Sequence, residues 1–472
     1  MKLKNITLTF VGLSVAIFAV PQAARAASLT VVADGLDNPR NFDWDSQGNL
    51  YMATSGKGGD GDGGQKCIPS PSAQYIPLCS GNTGSLIKIA TDGTKTTVLP
   101  NLPSLALVPS GEQGAGPADF KFDKQGNAYL LMGLAGNPAS RDTTLATPDL
   151  GRLFKVDLGT GALTSLADFG AYEVANNPDG TDIISNPYSF AIKGDNAYVV
   201  DGGGNTIYQV GLDGSGIKNV KAFAEQPVQL TLDQLPVLPE GTVDPTLRPD
   251  GTKAELPPGF SEALNGLPQS NQSVPTGIAI APDGSLTVSE YTYFPYPEGK
   301  ARVFSIDDNL TTTGLNVAGK PTTGTVMDTG FTQLTGVTYD NEGNMYVLQH
   351  INSSEWKEIQ QGGVVTGDIS GSIIKIAKDG TRSTIWSGNG LEAASGLEFG
   401  PDGNLYTANE ARLAGTGQLV RINLQGGSEG RKVPEPATVA GLVAFSALAT
   451  RLRKRKRQEE LGEELLAKVE TL

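Results

Sequence analysis

Six variants of one phrase run through this chain, and they limit its fold more than any other feature. The last is AASGLEFGPDGNLYTANE (393–410). Earlier copies are NPRNFDWDSQGNLYMATSG (38–56), GPADFKFDKQGNAYLLMGL (116–134), NPYSFAIKGDNAYVVDGG (186–203), VPTGIAIAPDGSLTVSEYT (274–292) and QLTGVTYDNEGNMYVLQH (333–350). Each reads as two short apolar strands around a turn of Asp, Gly and Asn, where Gly and Asn supply the positive φ that hairpin turns need. Each is followed by a second alternating pair, such as GSLIKIATDGTKTTV (84–98), ARVFSIDDNLTTTGL (301–315) or GSIIKIAKDGTRSTIW (371–386). The unit therefore has four strands and occurs six times. Four-stranded units repeated in a ring protect their sheet edges. The expected fold is all-β, a six-bladed β-propeller; the alternative is an open solenoid. The sixth unit lacks a fourth strand after Leu424, while SLTVVADGL (28–36) stands unpaired before the first unit. That N-terminal strand is expected to complete the last blade and close the ring.

The 472 residues divide into three regions: 1–26, 27–430 and 431–472. The first has Lys2 and Lys4, an apolar stretch over 6–20, and Ala24-Arg25-Ala26. This is the pattern of a secretory signal peptide, cleaved or kept as an anchor. The expected location is outside the cytoplasm, in the periplasm, cell envelope or extracellular space. In such an oxidising compartment Cys67 and Cys79, which share one insertion of the first blade, are expected to form a disulfide. Asp60 and Asp62 stand among glycines in the same loop, but two carboxylates are few for Ca²⁺. A net charge of −14 speaks against nucleic acid as a partner. The long insertion over 225–273 is acidic and rich in proline, which argues against a packed sheet there.

The chemistry is not announced by any motif. There is no G-x-S-x-G elbow, H-E-x-x-H helix, Walker loop or Rossmann fingerprint, and there is one histidine, His350. Candidates are therefore positional. Loops that enter the first strand of each blade and leave the second share one face, over the central channel. Arg40, Glu112, Asn186, Tyr188, Thr276, Thr335 and Ser395 stand at or before first strands; Ser55, Asp201, Glu290, His350 and Glu410 stand at the ends of second strands. From this set Glu290, His350 and Glu410 are the candidate catalytic groups. Arg40, Glu112, Asn186, Tyr188, Asp201 and Tyr291 are the candidate ligand-binding groups. Arg40 is a candidate partner for Glu410, lowering its pKa. Tyr291, Tyr293, Phe294 and Tyr296 could stack on a flat ligand. Against each stands a plainer reading: a solvated loop, a polar channel, or packing between blades.

The propeller phrase at 38–56, the glycine-rich cysteine loop, GSLIKIATDGT, SGEQGAGPADF and VPTGIAIAPDGSLTVSEYT together resemble the ScyD/ScyE family, exported proteins related to NHL-repeat propellers. Val433-Pro434-Glu435-Pro436, an apolar stretch over 437–450 and a basic cluster over 451–457 resemble a PEP-CTERM sorting signal. The resemblance implies processing or anchoring by an exosortase-type system, with membrane contact only through the C-terminal region; the extra segment 458–472 departs from the usual pattern and leaves open whether the tail is cut. The family resemblance implies a place in scytonemin metabolism, where an indolic-phenolic monomer is oxidatively joined outside the cytoplasm. Three functions compete: an enzyme or accessory factor binding that small aromatic molecule; a non-enzymatic module binding an envelope protein or glycan; and a lactonase-like hydrolase, with Ca²⁺ held by Asn186, Asp201, Glu290 and Glu410.

Overall fold

The computed structural model describes residues 27–71, 76–229, 268–308, 325–360, 364–365 and 367–424. The segments expected to be a signal peptide (1–26) and a sorting tail (431–472), and most of the 225–273 insertion, lie outside these residues.

The chain is an all-β, six-bladed β-propeller. In blade 1 the strands are Pro39–Trp44, Leu50–Thr54, Pro77–Ile89 and Lys95–Leu107. Blade 2 has Pro117–Phe122, Ala128–Met132, Arg152–Val156 and Leu163–Asp168; blade 3 has Pro187–Lys193, Asn196–Asp201, Thr206–Gly211 and Ile217–Ala222. Blade 4 has Pro275–Ile280, Leu286–Glu290, Ala301–Ile306 and Thr325–Phe331; blade 5 has Leu334–Tyr339, Met345–Gln349, Ser370–Ile376 and Arg382–Glu392. Blade 6 takes Ser395–Phe399, Leu405–Asn409 and Ala414–Asn423 from the end of the chain. Its outer strand is Ser28–Asp37, paired antiparallel from Ser28↔Asn423 to Asp37↔Ala414. The first strands neighbour one another around the ring, and that of blade 6 packs against that of blade 1.

The repeated phrase is held together locally. The carboxylate of Asp123 accepts from the Asn127 backbone N–H at 2.8 Å, the Asn127 amide at 2.7 Å and the Tyr129 hydroxyl at 3.0 Å. Asp340, Asn344 and Tyr346 repeat that arrangement in blade 5. Gly126 and Gly343 sit at φ 82°, where any side chain would be strained. Between blades the apolar faces interlock. Tyr129 and Leu131 of blade 2, for example, share a core with Phe190 and Val199 of blade 3.

Two expectations shift. The outer strand of blade 4, expected within 301–315, falls at Thr325–Phe331. That strand is mostly exposed, so it has little apolar pattern to read. The 225–273 insertion does contain sheet: Gln226–Gln229 pairs with Pro268–Asn271. A two-stranded ribbon is all edge, so its prolines can turn their nitrogens away from the ladder. Cys67 and Cys79 form the expected disulfide and pair across the two strands they belong to.

The channel is filled, not open. Asn41 donates to the carbonyls of Ala118 and Tyr188, both at 3.2 Å, and the Tyr188 hydroxyl meets Ser395 Oγ at 2.6 Å across the ring. Deeper in, Lys121 bonds Glu398 at 2.6 Å and lies 3.9 Å from Asp119.

Leu36 on the closing strand is buried against Phe42, Ala408 and Leu419. Leu36→Ala should cost about 2–5 kcal/mol, measured as a lower midpoint in urea unfolding.

Candidate functional site

One hydrogen bond recurs at the mouth of the ring. The N–H just past the second strand donates to the carbonyl just before the first. The pairs are Ser55 to Asn38 (3.0 Å), Gly133 to Gly116 (2.7 Å), Gly202 to Asn186 (3.0 Å), Tyr291 to Val274 (2.8 Å) and His350 to Gln333 (2.9 Å). Ser55, Gly133, Gly202, Tyr291 and His350 are thus equivalent. So are Arg40, Tyr188, Thr276 and Thr335, each the second residue of a first strand. Arg40, Tyr188, Thr276 and Thr335 of the second set come together with Gly202, Tyr291 and His350 of the first at one pocket of about 180 Å³, open to solvent on one side.

Its wall is aromatic. Tyr188, Tyr291, Tyr293 and Tyr296 line it with His350. The Tyr291 ring lies 5.7 Å from His350 and 5.8 Å, edge-on, from Tyr296. Tyr293 donates to the carbonyl of Pro71, in the disulfide-closed loop. Arg40, Asn186, Thr276, Thr292, Thr335, Glu355 and Arg412 add polar atoms to the lining.

His350 is neutral here. Burial first, then the nearby Arg412 and Arg40 cations, lower its pKa to about 3, opposed by a bond to Ala394. Its Nδ1 lies 2.8 Å from the Ala394 carbonyl. A carbonyl can only accept, so Nδ1 carries the proton and Nε2 is left as an acceptor. A group titrating so low is a poor general base at neutral pH. It is well suited to accept a hydrogen bond from a ligand N–H or O–H.

Behind the tyrosines lies a buried ion cluster. Arg412 bonds Glu112 Oε1 from Nε at 2.9 Å and from Nη2 at 2.5 Å, and it also donates to Glu355. Glu355 further accepts from the Tyr291 hydroxyl at 2.6 Å, Gln333 at 3.2 Å and Gln113 at 3.5 Å. Burial raises the Tyr291 hydroxyl well above the ordinary phenol range, so it stays protonated as a donor. Two buried polar atoms here have no partner among the described residues: Glu112 Oε2, and the hydroxyl of Thr292, which is fully buried with φ 72°. A β-branched residue in that backbone region is strained.

Of the expected residues, Arg40, Asn186, Tyr188, Tyr291 and His350 share this pocket. Glu112 stands behind it on Arg412. Asp201 and Glu290 do not line it; each pairs with the first residue of its blade's first strand, Pro187 and Pro275. They sit one residue before the position of Tyr291 and His350, and one residue along a strand reverses the side-chain direction. Glu290 instead binds Arg302 at 2.6 and 2.9 Å and accepts from Ser273 at 2.6 Å. Asp201 accepts from Ser185 and from the backbone of Asn186, Gly203 and Gly204. Glu410 is not in the lining either. Arg40 bonds Ser55 and the Gly114 carbonyl in place of the expected pair with Glu410. Among the described residues no three His, Cys, Asp or Glu are grouped to hold a metal ion, so the calcium set does not assemble from these side chains. Asp60 and Asp62 are likewise engaged locally, Asp62 with Lys66 at 3.3 Å.

Arg412 and Glu355 were not among the candidates. Arg412 lies two residues beyond Glu410, and Glu355 opens a short helix, Glu355–Glu358, in an insertion after His350, where no repeat marks the register.

No protein-family model matches this chain, and no curated protein matches it in sequence. Solved propellers resemble it in fold. A gluconolactonase of Xanthomonas campestris is 12% identical, covering 85% of this chain and 91% of its own, with TM-score 0.41. A virginiamycin B lyase of Staphylococcus aureus is 10% identical over 84% and 99%, with TM-score 0.36. A glucose dehydrogenase is 11% identical over 84% and 99%, with TM-score 0.42. Fold and site together define a closed six-bladed propeller with an aromatic pocket at one mouth.

Two stability effects follow from the carboxylates that lie off the pocket. Glu290→Ala leaves the half-buried Arg302 without its partner and should cost about 3 kcal/mol in urea unfolding. The double variant Glu290→Leu/Arg302→Met should recover most of that loss. Glu173 is fully buried, and burial with the nearby Asp201 and Asp179 pushes its pKa up to about 9. Between about pH 4.5 and pH 9 the unfolded chain loses this proton while the folded one keeps it, so stability falls as pH rises. Glu173→Gln should therefore gain on the wild type steadily from about pH 5 to about pH 8, in unfolding midpoints measured across that range.

Proposed function

We propose that this chain is an exported propeller that holds one aryl group of an aromatic small molecule in its mouth pocket. Following its resemblance to the ScyD/ScyE family, the molecule is the indolic-phenolic precursor of scytonemin, and the protein serves the oxidative joining of that precursor as enzyme or accessory factor. The observation that carries this reading is the wall itself: four tyrosines and a neutral histidine around one half-open space.

Size and polarity support it. An apolar cavity of about 150 Å³ accommodates benzene. A space of about 180 Å³ therefore takes one ring system with a short substituent. The rest of a larger ligand projects into solvent through the open side. The ring packs against Tyr188, Tyr291 and Tyr296 in offset or edge geometry. A phenol O–H or indole N–H donates to His350 Nε2.

The full chain, titrated calorimetrically with the reduced scytonemin monomer, should bind it with one site. Tyr291→Ala should weaken binding about 3- to 10-fold. Tyr291→Phe, which keeps the ring, should change it little. Affinity should be flat from about pH 5 to about pH 8, because His350 stays neutral there. The mass of the product after incubation distinguishes enzyme from carrier. Absence of binding would sink the reading.

A further inference from the structure

Seven arginines fall within the described residues, and six are ion-paired. Arg141 pairs with Asp142 and Asp168, Arg152 with Asp168, Arg302 with Glu290, Arg382 with Asp328, Arg412 with Glu112 and Glu355, and Arg421 with Asp402. The seventh, Arg40, has no carboxylate within ion-pair distance among the described residues. In a chain of net charge −14 this is not for want of carboxylates. Arg40 is also the arginine that stands second in a first strand and lines the mouth pocket.

Its pose is fixed by neutral groups. Nε donates to Ser55 Oγ at 3.3 Å and Nη2 to the Gly114 carbonyl at 2.6 Å. Ser55 is itself held by its donation to the Pro117 carbonyl at 2.9 Å. A guanidinium has five N–H donors in a rigid fork, and among the described residues the other three meet no hydrogen-bond partner. The other charges at the pocket do not compete for them. Arg412 spans Glu112 and Glu355, and Glu355 also accepts from Tyr291, Gln333 and Gln113. Thr292 adds a second unmatched polar atom in the same lining, its buried hydroxyl. A pocket that strands a cation and a hydroxyl together is complementary to a ligand that is charged as well as aromatic.

We infer that Arg40 is an anion subsite and that the ligand is an aromatic acid, its carboxylate on a short chain from the ring that packs on the tyrosine wall. This rests on the aromatic reading above and adds the charge of the ligand to it. Guanidinium and carboxylate match as planar forks, which gives orientation as well as affinity. A matched amine would meet Arg40 as a like charge.

The test uses three ligands of one shape: indoleacetate, its neutral amide, and tryptamine, each titrated calorimetrically into the full chain. Indoleacetate should bind about tenfold or more tightly than the amide, and tryptamine more weakly still. Arg40→Gln should bring indoleacetate down to the affinity of the amide and leave the amide unchanged. Arg40→Lys, which keeps the charge without the fork, should retain part of the preference. Should Arg40→Gln fail to fold, the Arg40→Lys ratio and the loss of the acid's advantage with added salt decide the matter in its place. Equal binding of acid and amide to the wild type, still weakened by Tyr291→Ala, would overturn the anion subsite and leave the aromatic pocket standing. An equal loss for both ligands in Arg40→Gln would show a structural role and overturn it too. If none of the three binds while the reduced scytonemin monomer does, the anion subsite is overturned and the aromatic pocket stands; if the monomer does not bind either, both readings fail.

Discussion

The backbone ladder between Ser28–Asp37 and Ala414–Asn423 is the interaction on which the rest depends. It joins the two ends of the described ring and covers the third strand of the last blade. Without it, blade 6 would present the long unpaired edge that β proteins avoid. The contacts around the mouth presuppose it. Arg412, from the loop just before that third strand, reaches Glu112 in the loop that leads into blade 2. Tyr188 of blade 3 touches Ser395 of blade 6 across the axis. Neither contact can form in an open arc.

The mouth is rigid, and its rigidity is partly strained. Thr292, Val274, Tyr296, Gln113 and Ala135 all line the pocket with positive φ, a region that side chains with a Cβ rarely enter. Val274 is positioned by Asn205, whose side-chain oxygen takes its N–H at 2.9 Å. Gln113 is held by its N–H bond to the Arg412 carbonyl at 3.0 Å. Neighbouring blades thus help fix Val274 and Gln113 in their strained conformations, which is the condition under which strain persists at a binding site. The result is a preorganised wall, in which little side-chain freedom is left to lose when a ligand arrives.

The blades were legible because they repeat. A turn read six times corrects any single ambiguous copy, and the missing last strand pointed to the first. The disulfide was legible for a similar reason: only two cysteines exist, twelve residues apart. The site was legible only in part. Arg40, Tyr188, Tyr291 and His350 follow from the position of the strands. Asp201 and Glu290 miss the pocket by one residue, because a strand's last residue and the one after it point opposite ways. Nothing in SEYT or VVDGG marks which residue is last. Arg412 and Glu355 were hidden for a different reason. They lie outside the repeat, and their meeting depends on where a turn and a short inserted helix happen to cross.

The mouth pocket has no owner among the blades. Arg40 comes from blade 1, Tyr188 from blade 3, Tyr291 from blade 4 and His350 from blade 5, while Arg412 comes from blade 6. Occupancy is therefore thermodynamically linked to circularity. A ligand that recognises only the complete ring adds RT ln(1 + [L]/Kd) to the stability of the clasp between the chain's two ends. The clasp, by the same linkage, sets the affinity. Any event that loosens Ser28–Asp37 is then felt as weaker binding on the far side of the axis, with no residue of the pocket itself altered.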